Sequence, residues 1–426
     1  MGSSRERNYT KVLLVGLDTG EDREFEHSMK ELASLAEAAC KQVVGIIVQR
    51  MGSVNKALYI GSGKVSEVKE YALECGAGEI VFDNALTPSQ VRNLGRELEL
   101  PVFDRTNLIL DIFALRARSR EAKLQVETAN LQYILPRLVG MRENLSRQGG
   151  TGGSMSNRGA GETKLELDRR RIEHRISELR KELENVARSR ETMRKKRSKS
   201  GVPQVALVGY TNAGKSTIMN RMVDLYGENN EKTVLEKDML FATLETNVRS
   251  IHAGDNKPFF LVDTVGFINK LPHSLVKAFQ STLEEVRYAD LVVHVVDFSD
   301  EYYREQMQVT SETLEELDAG DIPRIVVYNK AEKCSMEQLP RRRDDQIYMA
   351  AAQGVGLNEL LEMIEGVVYA DREEACFLIP YDQGNVASYL MENATVLSQE
   401  YRSDGIWMQL SLSRIDSQRY GQYRCD

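Results

Sequence analysis

Short apolar runs alternate with amphipathic stretches at the start of the chain. Lys11–Leu17 and Gln42–Val48 read as strands, with the amphipathic stretch Phe25–Ala39 between them. Val65–Cys75 has helical spacing, Glu79–Phe82 is again strand-like, and a Thr-Pro start opens a helix over Thr87–Glu99. Strands alternating with helices predict a parallel sheet, so residues 1–118 are expected to form a small α/β domain. Within it, Ile60-Gly61-Ser62-Gly63-Lys64 echoes a phosphate loop, but Leu58 stands where the first glycine is needed. A helix-opening turn is the better reading.

The pattern then changes. Leu165, Ile172, Leu179, Val186 and Met193 recur every seven residues, and Ile176 and Leu183 fill intermediate positions, which predicts a coiled-coil seam. An upstream helix over about Arg118 to Leu135 offers Leu124, Leu131 and Leu135 as a partner face. Residues 119–200 therefore read as a long α-helical hairpin arm. Its connection, Arg147 to Gly161, holds six glycines and two arginines and cannot build a core of its own. Glycine and arginine together suit close backbone approach and phosphate contact, so an RNA-contacting tip is expected; a solvated connection is the alternative.

Residues 201–370 carry the chemistry. The apolar run Val205–Val208 leads into Gly209-Tyr210-Thr211-Asn212-Ala213-Gly214-Lys215-Ser216-Thr217, the pattern G-x-x-x-x-G-K-[ST]. Two glycines allow the backbone to curl round a phosphate, Lys215 reaches the β- and γ-phosphates, and the Ser216 hydroxyl faces magnesium. The following helix presents its positive end to the nucleotide. Phe259–Val262 is a buried-strand pattern ending in Asp263-Thr264-Val265-Gly266, where a carboxylate can hold magnesium and Gly266 brings a backbone N–H to the γ-phosphate. Arg324–Tyr328 leads into Asn329-Lys330-Ala331-Glu332, and Tyr348-Met349-Ala350-Ala351 is a further strand end. Phe241-Ala242-Thr243-Leu244 lies between the first two motifs, with Thr243 the candidate further magnesium ligand and Thr246 its competitor. In this order the motifs resemble the GTPase branch of the phosphate-loop proteins. The last segment, 371–426, has strand-like pieces such as Ile406–Leu412 and reads as a small α+β module with Trp407 in its core.

Composition narrows the setting. No run of 18 apolar residues exists, and the first residues lack an apolar signal core, so a cytoplasmic protein without stable membrane insertion is expected. Peripheral membrane association stays open. Cys40, Cys75, Cys334, Cys376 and Cys425 form no C-x-x-C pair, and the five histidines are dispersed, which points to neither a zinc site nor a disulfide framework. The net charge of −8 argues against a nucleic-acid partner, and no DNA partner is expected, but 162–200 carries 14 Lys or Arg against 8 Asp or Glu, leaving −14 for the rest. Phosphate-rich partners respond to such local patches.

Over almost its whole length the chain resembles the HflX family of bacterial ribosome-associated GTPases. The segments carrying this are Asn157 to Arg171, Val208 to Thr217, Leu240 to Leu244, and Asp263 to Ile268 with Leu271 to Phe279. The resemblance implies an N-terminal α/β domain with a helical arm, a Ras-like G domain and a small C-terminal domain. It implies a monomer binding GTP or GDP with Mg²⁺, and the large ribosomal subunit and its rRNA as partner through the 147–200 arm. In this family the GTP-bound form splits or rescues stalled ribosomes under stress. Lys215, Thr243 and Gly266 then match the catalytic positions, and Ser216, Thr243 and Asp263 the metal positions. Asn329, Lys330, Glu332, Ala350 and Ala351 match the base-recognition positions. Asn212 occupies the position of the Asn in potassium-stimulated GTPases, which adds K⁺ as a candidate.

Two departures fall in the base pocket: Glu332 replaces the family's Asp, and Ala350 replaces a Ser. Phe267 also stands where many Ras-like enzymes carry a water-orienting Gln, so slow intrinsic hydrolysis, accelerated by a partner, is expected. Glu332 with the basic arm leaves an ATP-using RNA-remodelling enzyme as a rival reading. Phe267 leaves a non-catalytic switch.

Overall fold

The structure is a computed structural model. It describes residues 9–20, 24–138, 158–199, 202–227, 241, 246–252, 257–270, 284–334 and 338–425, apart from the side chains of 158–165, 193 and 195–199. The described chain is mixed α/β and divides into two compact units.

The first unit runs through β1 (Thr10–Asp18), α1 (Phe25–Ala38), β2 (Lys41–Arg50), α2 (Ser62–Cys75), β3 (Glu79–Phe82), α3 (Pro88–Leu98), β4 (Val102–Asp104) and α4 (Arg105–Arg116). The strands form a parallel sheet in the order β2-β1-β3-β4. Leu13, Val15, Ile80 and Phe82 of the central strands are buried with Leu94 of α3. The Thr-Pro start acts as read: the Thr87 hydroxyl accepts the Gln90 N–H and Pro88 opens the helix. The Gly61–Lys64 turn opens α2, with the Gly61 N–H given to Gln49 Oε1 at 2.9 Å and Lys64 paired to Glu67 at 2.7 Å.

The helices α5 (Arg120–Ile134) and α6 (Arg158–Lys199) follow. Ile176 and Leu179 are buried, and Ile172, Leu183 and Val186 half-buried, on an otherwise largely exposed helix. On the partner face Leu124 is buried and Leu131 and Leu135 half-buried. Arg175 grips Glu127 at 2.8 and 3.2 Å and Arg120 meets Glu182 at 2.8 Å, fixing an antiparallel register. The helix begins at Arg158, inside the stretch read as loop to Gly161. Each added helical residue gains a hydrogen bond, which offsets the roughly 1 kcal/mol cost of each glycine. Residues 147–157 of that connection lie outside the described residues.

Packing also gives this unit Phe241 and Ile268–Lys270. Arg105 is 1% exposed and donates to Glu31 at 2.6 Å, Asp83 at 2.7 Å and the Asn269 carbonyl at 3.4 Å. Lys270 Nζ contacts Asp83 and Ser28 Oγ, each at 2.9 Å. Burial alone would raise the Asp83 carboxyl, but Arg105 and Lys270 outweigh it and hold it below the usual carboxylate range. The Phe241 ring meets Phe113 of α4 edge-on at 4.8 Å.

The second unit contains β5 (Gln204–Gly209), α7 (Lys215–Tyr226), β6 (Asn247–Ile251), β7 (Phe259–Asp263), β8 (Leu291–Asp297), α8 (Tyr303–Glu316), β9 (Arg324–Asn329), β10 (Arg341–Arg343), β11 (Gln346–Tyr348) and α9 (Leu357–Val368). Its sheet has the order β10-β11-β9-β8-β5-β7-β6, parallel except for β6 on β7 and β10 on β11. A C-terminal sheet, β13-β14-β12-β15, is antiparallel. Its elements are β12 (Arg372–Ile379), α10 (Gly384–Asn393), β13 (Thr395–Arg402), β14 (Gly405–Ser413), α11 (Arg414–Arg419) and β15 (Arg424–Cys425). Met408, Leu410 and Leu412 face its core. Trp407, read as core, falls on the other face of β14 by strand alternation and is half-buried under the Arg402 guanidinium, 4.8 Å from the ring centre.

Candidate nucleotide site

β5 lies between β7 and β8, and its register brings Gly209 opposite Val295. At that point the chain must leave the sheet without a side chain. Gly209 has φ +145°, and a Cβ there would sit 2.1 Å from the Val295 carbonyl oxygen. Gly214, at φ +99°, would put a Cβ 2.2 Å from Asn329 Nδ2. Only glycine fits both the conformation and the space. Asn212, also left-handed at φ 63°, is exposed at the turn between them.

The first residue of α7, Lys215, is 6% exposed and folds back over the loop. Its ammonium donates to the carbonyls of Gly209 at 2.9 Å and Tyr210 at 2.7 Å. Burial pushes this amine down to about 8, against the opposing pull of the Asp263 carboxylate. Ser216 Oγ donates to Asp263 Oδ2 at 2.9 Å, joining the head of α7 to the end of β7. Hydroxyl and carboxylate are the hard oxygen ligands that suit Mg²⁺. Thr264 pins the next residue by donating its hydroxyl to the Leu207 carbonyl at 2.7 Å.

The D-x-x-G segment rests directly on the phosphate loop. The Thr211 N–H reaches the Phe267 carbonyl at 2.8 Å, and the Phe267 N–H reaches the Gly209 carbonyl at 3.1 Å. A Cβ on Gly266 would meet Thr211 Cα at 2.8 Å and Lys215 Nζ at 3.0 Å. Tyr210, Ala213, Val265 and the Phe267 ring are buried around this crossing, and Thr217 is half-buried one residue beyond Ser216.

Asn329 ties three segments together. Its amide donates to the Ala213 carbonyl at 2.9 Å, and its Oδ1 accepts the Ala351 N–H at 3.0 Å. Lys330, left-handed at φ 59°, pairs with Asp297 Oδ2 at 2.7 Å. Ala350 and Ala351 are fully buried. Half-buried Glu332 sits in the turn Ala331–Lys333, and its Oε2 is buried with no hydrogen-bond partner among the described residues. Burying such an oxygen is costly unless a donor meets it.

The structure thus gathers Gly209–Thr217, Asp263–Gly266, Asn329, Lys330, Glu332, Ala350 and Ala351 around the C-terminal ends of β5, β7, β9 and β11. In open α/β sheets ligands bind at such strand ends. Phe241 is packed in the first unit instead. Ala242 and Thr243 lie outside the described residues, while Thr246 is half-buried just before β6. Sequence reasoning passed over Asp297, the partner of Lys330. The end of the apolar run Leu291–Val296 could have signalled it.

Family models match three successive stretches. They are a GTP-binding GTPase N-terminal region over 26–114, a GTP-binding GTPase middle region over 116–197, and a 50S ribosome-binding GTPase over 204–330. The chain is 43% identical over 397 residues to the GTPase HflX of Caldanaerobacter subterraneus subsp. tengcongensis, covering 93% of this chain and 89% of that one. It is 36% identical over 415 residues to the GTPase HflX of Escherichia coli strain K12, covering 96% and 95%. A solved GTP-binding protein from the hyperthermophilic archaeon Sulfolobus solfataricus, in complex with GDP, is 26% identical at a TM-score of 0.44, covering 84% of this chain and 99% of that chain. With such identity to HflX relatives over nearly their full length, the chain belongs to the HflX family of GTPases and is a GTP-hydrolysing enzyme.

Proposed function

We propose that this GTPase binds the large ribosomal subunit and splits or rescues stalled ribosomes under stress, working as a monomer in the cytoplasm. The observation that carries the reading is the two-helix arm: α5 and α6 lock together in antiparallel register, and the 162–200 segment is basic in an otherwise acidic chain. Charged groups along such an arm fit the phosphates of rRNA. The 147–200 segment is the contact region in this reading.

At the nucleotide site, Lys215 exchanges its two loop carbonyls for the β- and γ-phosphates of GTP. Ser216 and Asp263 would hold Mg²⁺, with Thr243 as the further ligand, and the ion would supply charge neutralisation at the phosphates. Asn212, exposed at the turn between Gly209 and Gly214, would be the K⁺ residue in this reading. Asn329 and Lys330 frame the base, and Glu332 Oε2, without a partner among the described residues, accepts a guanine N–H. That last feature favours guanine over adenine, which has no donor at the matching ring nitrogen. The Gly266 N–H serves the γ-phosphate once Gly266 and Phe267 lift from the loop. The buried phenyl ring of Phe267 cannot orient water, so turnover alone is slow.

The test is GTP and ATP hydrolysis with and without purified large ribosomal subunits, in potassium and in sodium buffer. GTP turnover rising sharply with subunits, and faster in potassium, is the expected result. GTP turnover indifferent to subunits, or equal use of ATP, would overturn it.

A further inference from the structure

The C-terminal sheet holds a feature that nucleotide chemistry does not use. Cys376 of β12 and Cys425 of β15 are register partners on adjacent antiparallel strands. Directly opposed residues on such strands project to the same face, with Cα atoms roughly 4.5–5.5 Å apart. Disulfides span Cα separations of roughly 4.4–6.8 Å, so the spacing expected of this pair lies within the range a disulfide spans. Residue 376 lies between inward Ala375 and Phe377, which puts its thiol on the outer face of the sheet, and both cysteines are half-buried. A small oxidant can therefore reach them. Among the described residues β15 is only two residues long and pairs with β12 alone, its second register pair being Phe377 with Arg424.

We propose that Cys376 and Cys425 form a reversible disulfide that staples β15 to β12, making the C-terminal module redox-responsive. The oxidant is a small disulfide such as oxidised glutathione. One cysteine thiolate attacks a sulfur of the oxidant and expels one glutathione thiolate, leaving a mixed disulfide. The second cysteine thiolate attacks the protein sulfur of that mixed disulfide and expels the other glutathione thiolate. Two S–H bonds on the protein are lost, one S–S bond forms, and the two protons leave on two reduced glutathiones. The bridge closes a loop over α10, β13, β14 and α11, so most of the C-terminal module falls within it. A dithiol reductant reverses the exchange.

The test treats the full chain with oxidised glutathione and counts free thiols before and after. Disulfide-linked peptides are then mapped by trypsin digestion without reduction. Trypsin cuts after Arg372, Arg402 and Arg424, so the bridge appears as the 373–402 peptide joined to the peptide beginning at Cys425. The expected result is that linked pair, with two of the five thiols lost and both restored by dithiothreitol. In Cys376→Ser, a single glutathione should instead be trapped on Cys425. The proposal is overturned if both cysteines alkylate freely after oxidation, if each carries its own glutathione, or if Cys376→Ser still loses two thiols to a disulfide.

Discussion

Lys215 makes nucleotide affinity pH-dependent in a range where few other groups titrate. Its amine is held at about 8 because burial strips it of water, against the opposing pull of Asp263, whereas an ordinary lysine sits at 10.5. That gap corresponds to about 3 kcal/mol in favour of the neutral amine. Bound phosphates supply the missing negative charge and return the ammonium to full charge. Without nucleotide, Lys215 is charged in about nine molecules of ten at pH 7 and about one in ten at pH 9. Nucleotide affinity should therefore fall about tenfold between pH 7 and pH 9, with uptake of nearly one proton per nucleotide at the higher pH. The sign for folding is the reverse. Below pH 8 the nucleotide-free fold carries the full cost of a buried ammonium, and stability from this group rises as pH climbs from 8 to 10.5. The assay is calorimetric titration of GDP at pH 7, 8 and 9 in two buffers of different protonation enthalpy. The terminal phosphate, with its second pKa near 6, is already ionised across this range. Guanine deprotonation is shared with Lys215→Met, so the difference between the two proteins isolates the lysine. Parallel pH dependences for wild type and Lys215→Met would refute the assignment.

Three further outcomes follow from the packing. Gly209→Ala places a Cβ 2.1 Å from the Val295 carbonyl at a φ of +145°, and should destabilise the chain by about 2–6 kcal/mol, seen in thermal unfolding with and without GDP; a loss under 0.5 kcal/mol would contradict the geometry. Asp83→Ala strips Arg105 of one of its two carboxylate partners and Lys270 of its ion pair, and should cost about 3–5 kcal/mol in denaturant unfolding. Glu332→Ala should lower the preference for GTP over ATP about tenfold or more, since hydrogen bonds to charged groups contribute roughly 1.5–3 kcal/mol; competition binding with both nucleotides measures it, and unchanged selectivity would remove Glu332 from the base site.

Much of this was legible along the chain. The strand patterns of Lys11–Leu17 and Phe259–Val262 and the heptad seam around Leu179 appear as read, because short apolar runs and heptad spacing are signals carried by neighbouring residues along the chain. The phosphate loop was legible because two of its positions, Gly209 and Gly214, admit no other residue type. Trp407 was misplaced because an aromatic in a strand says nothing of which face it takes until register with the neighbouring strands is set.

What the sequence determined by itself is the order of elements, the loop that cradles phosphate and the family. What only tertiary structure decided is which distant residues meet. Arg105 finds Glu31, Asp83 and the Asn269 carbonyl; Thr211 and Gly209 bond to Phe267; Asn329 bridges Ala213 and Ala351; and Cys376 faces Cys425. Such pairings depend on sheet order and register. Those are set by the global balance of buried apolar area against chain entropy, and no short window of sequence contains that balance.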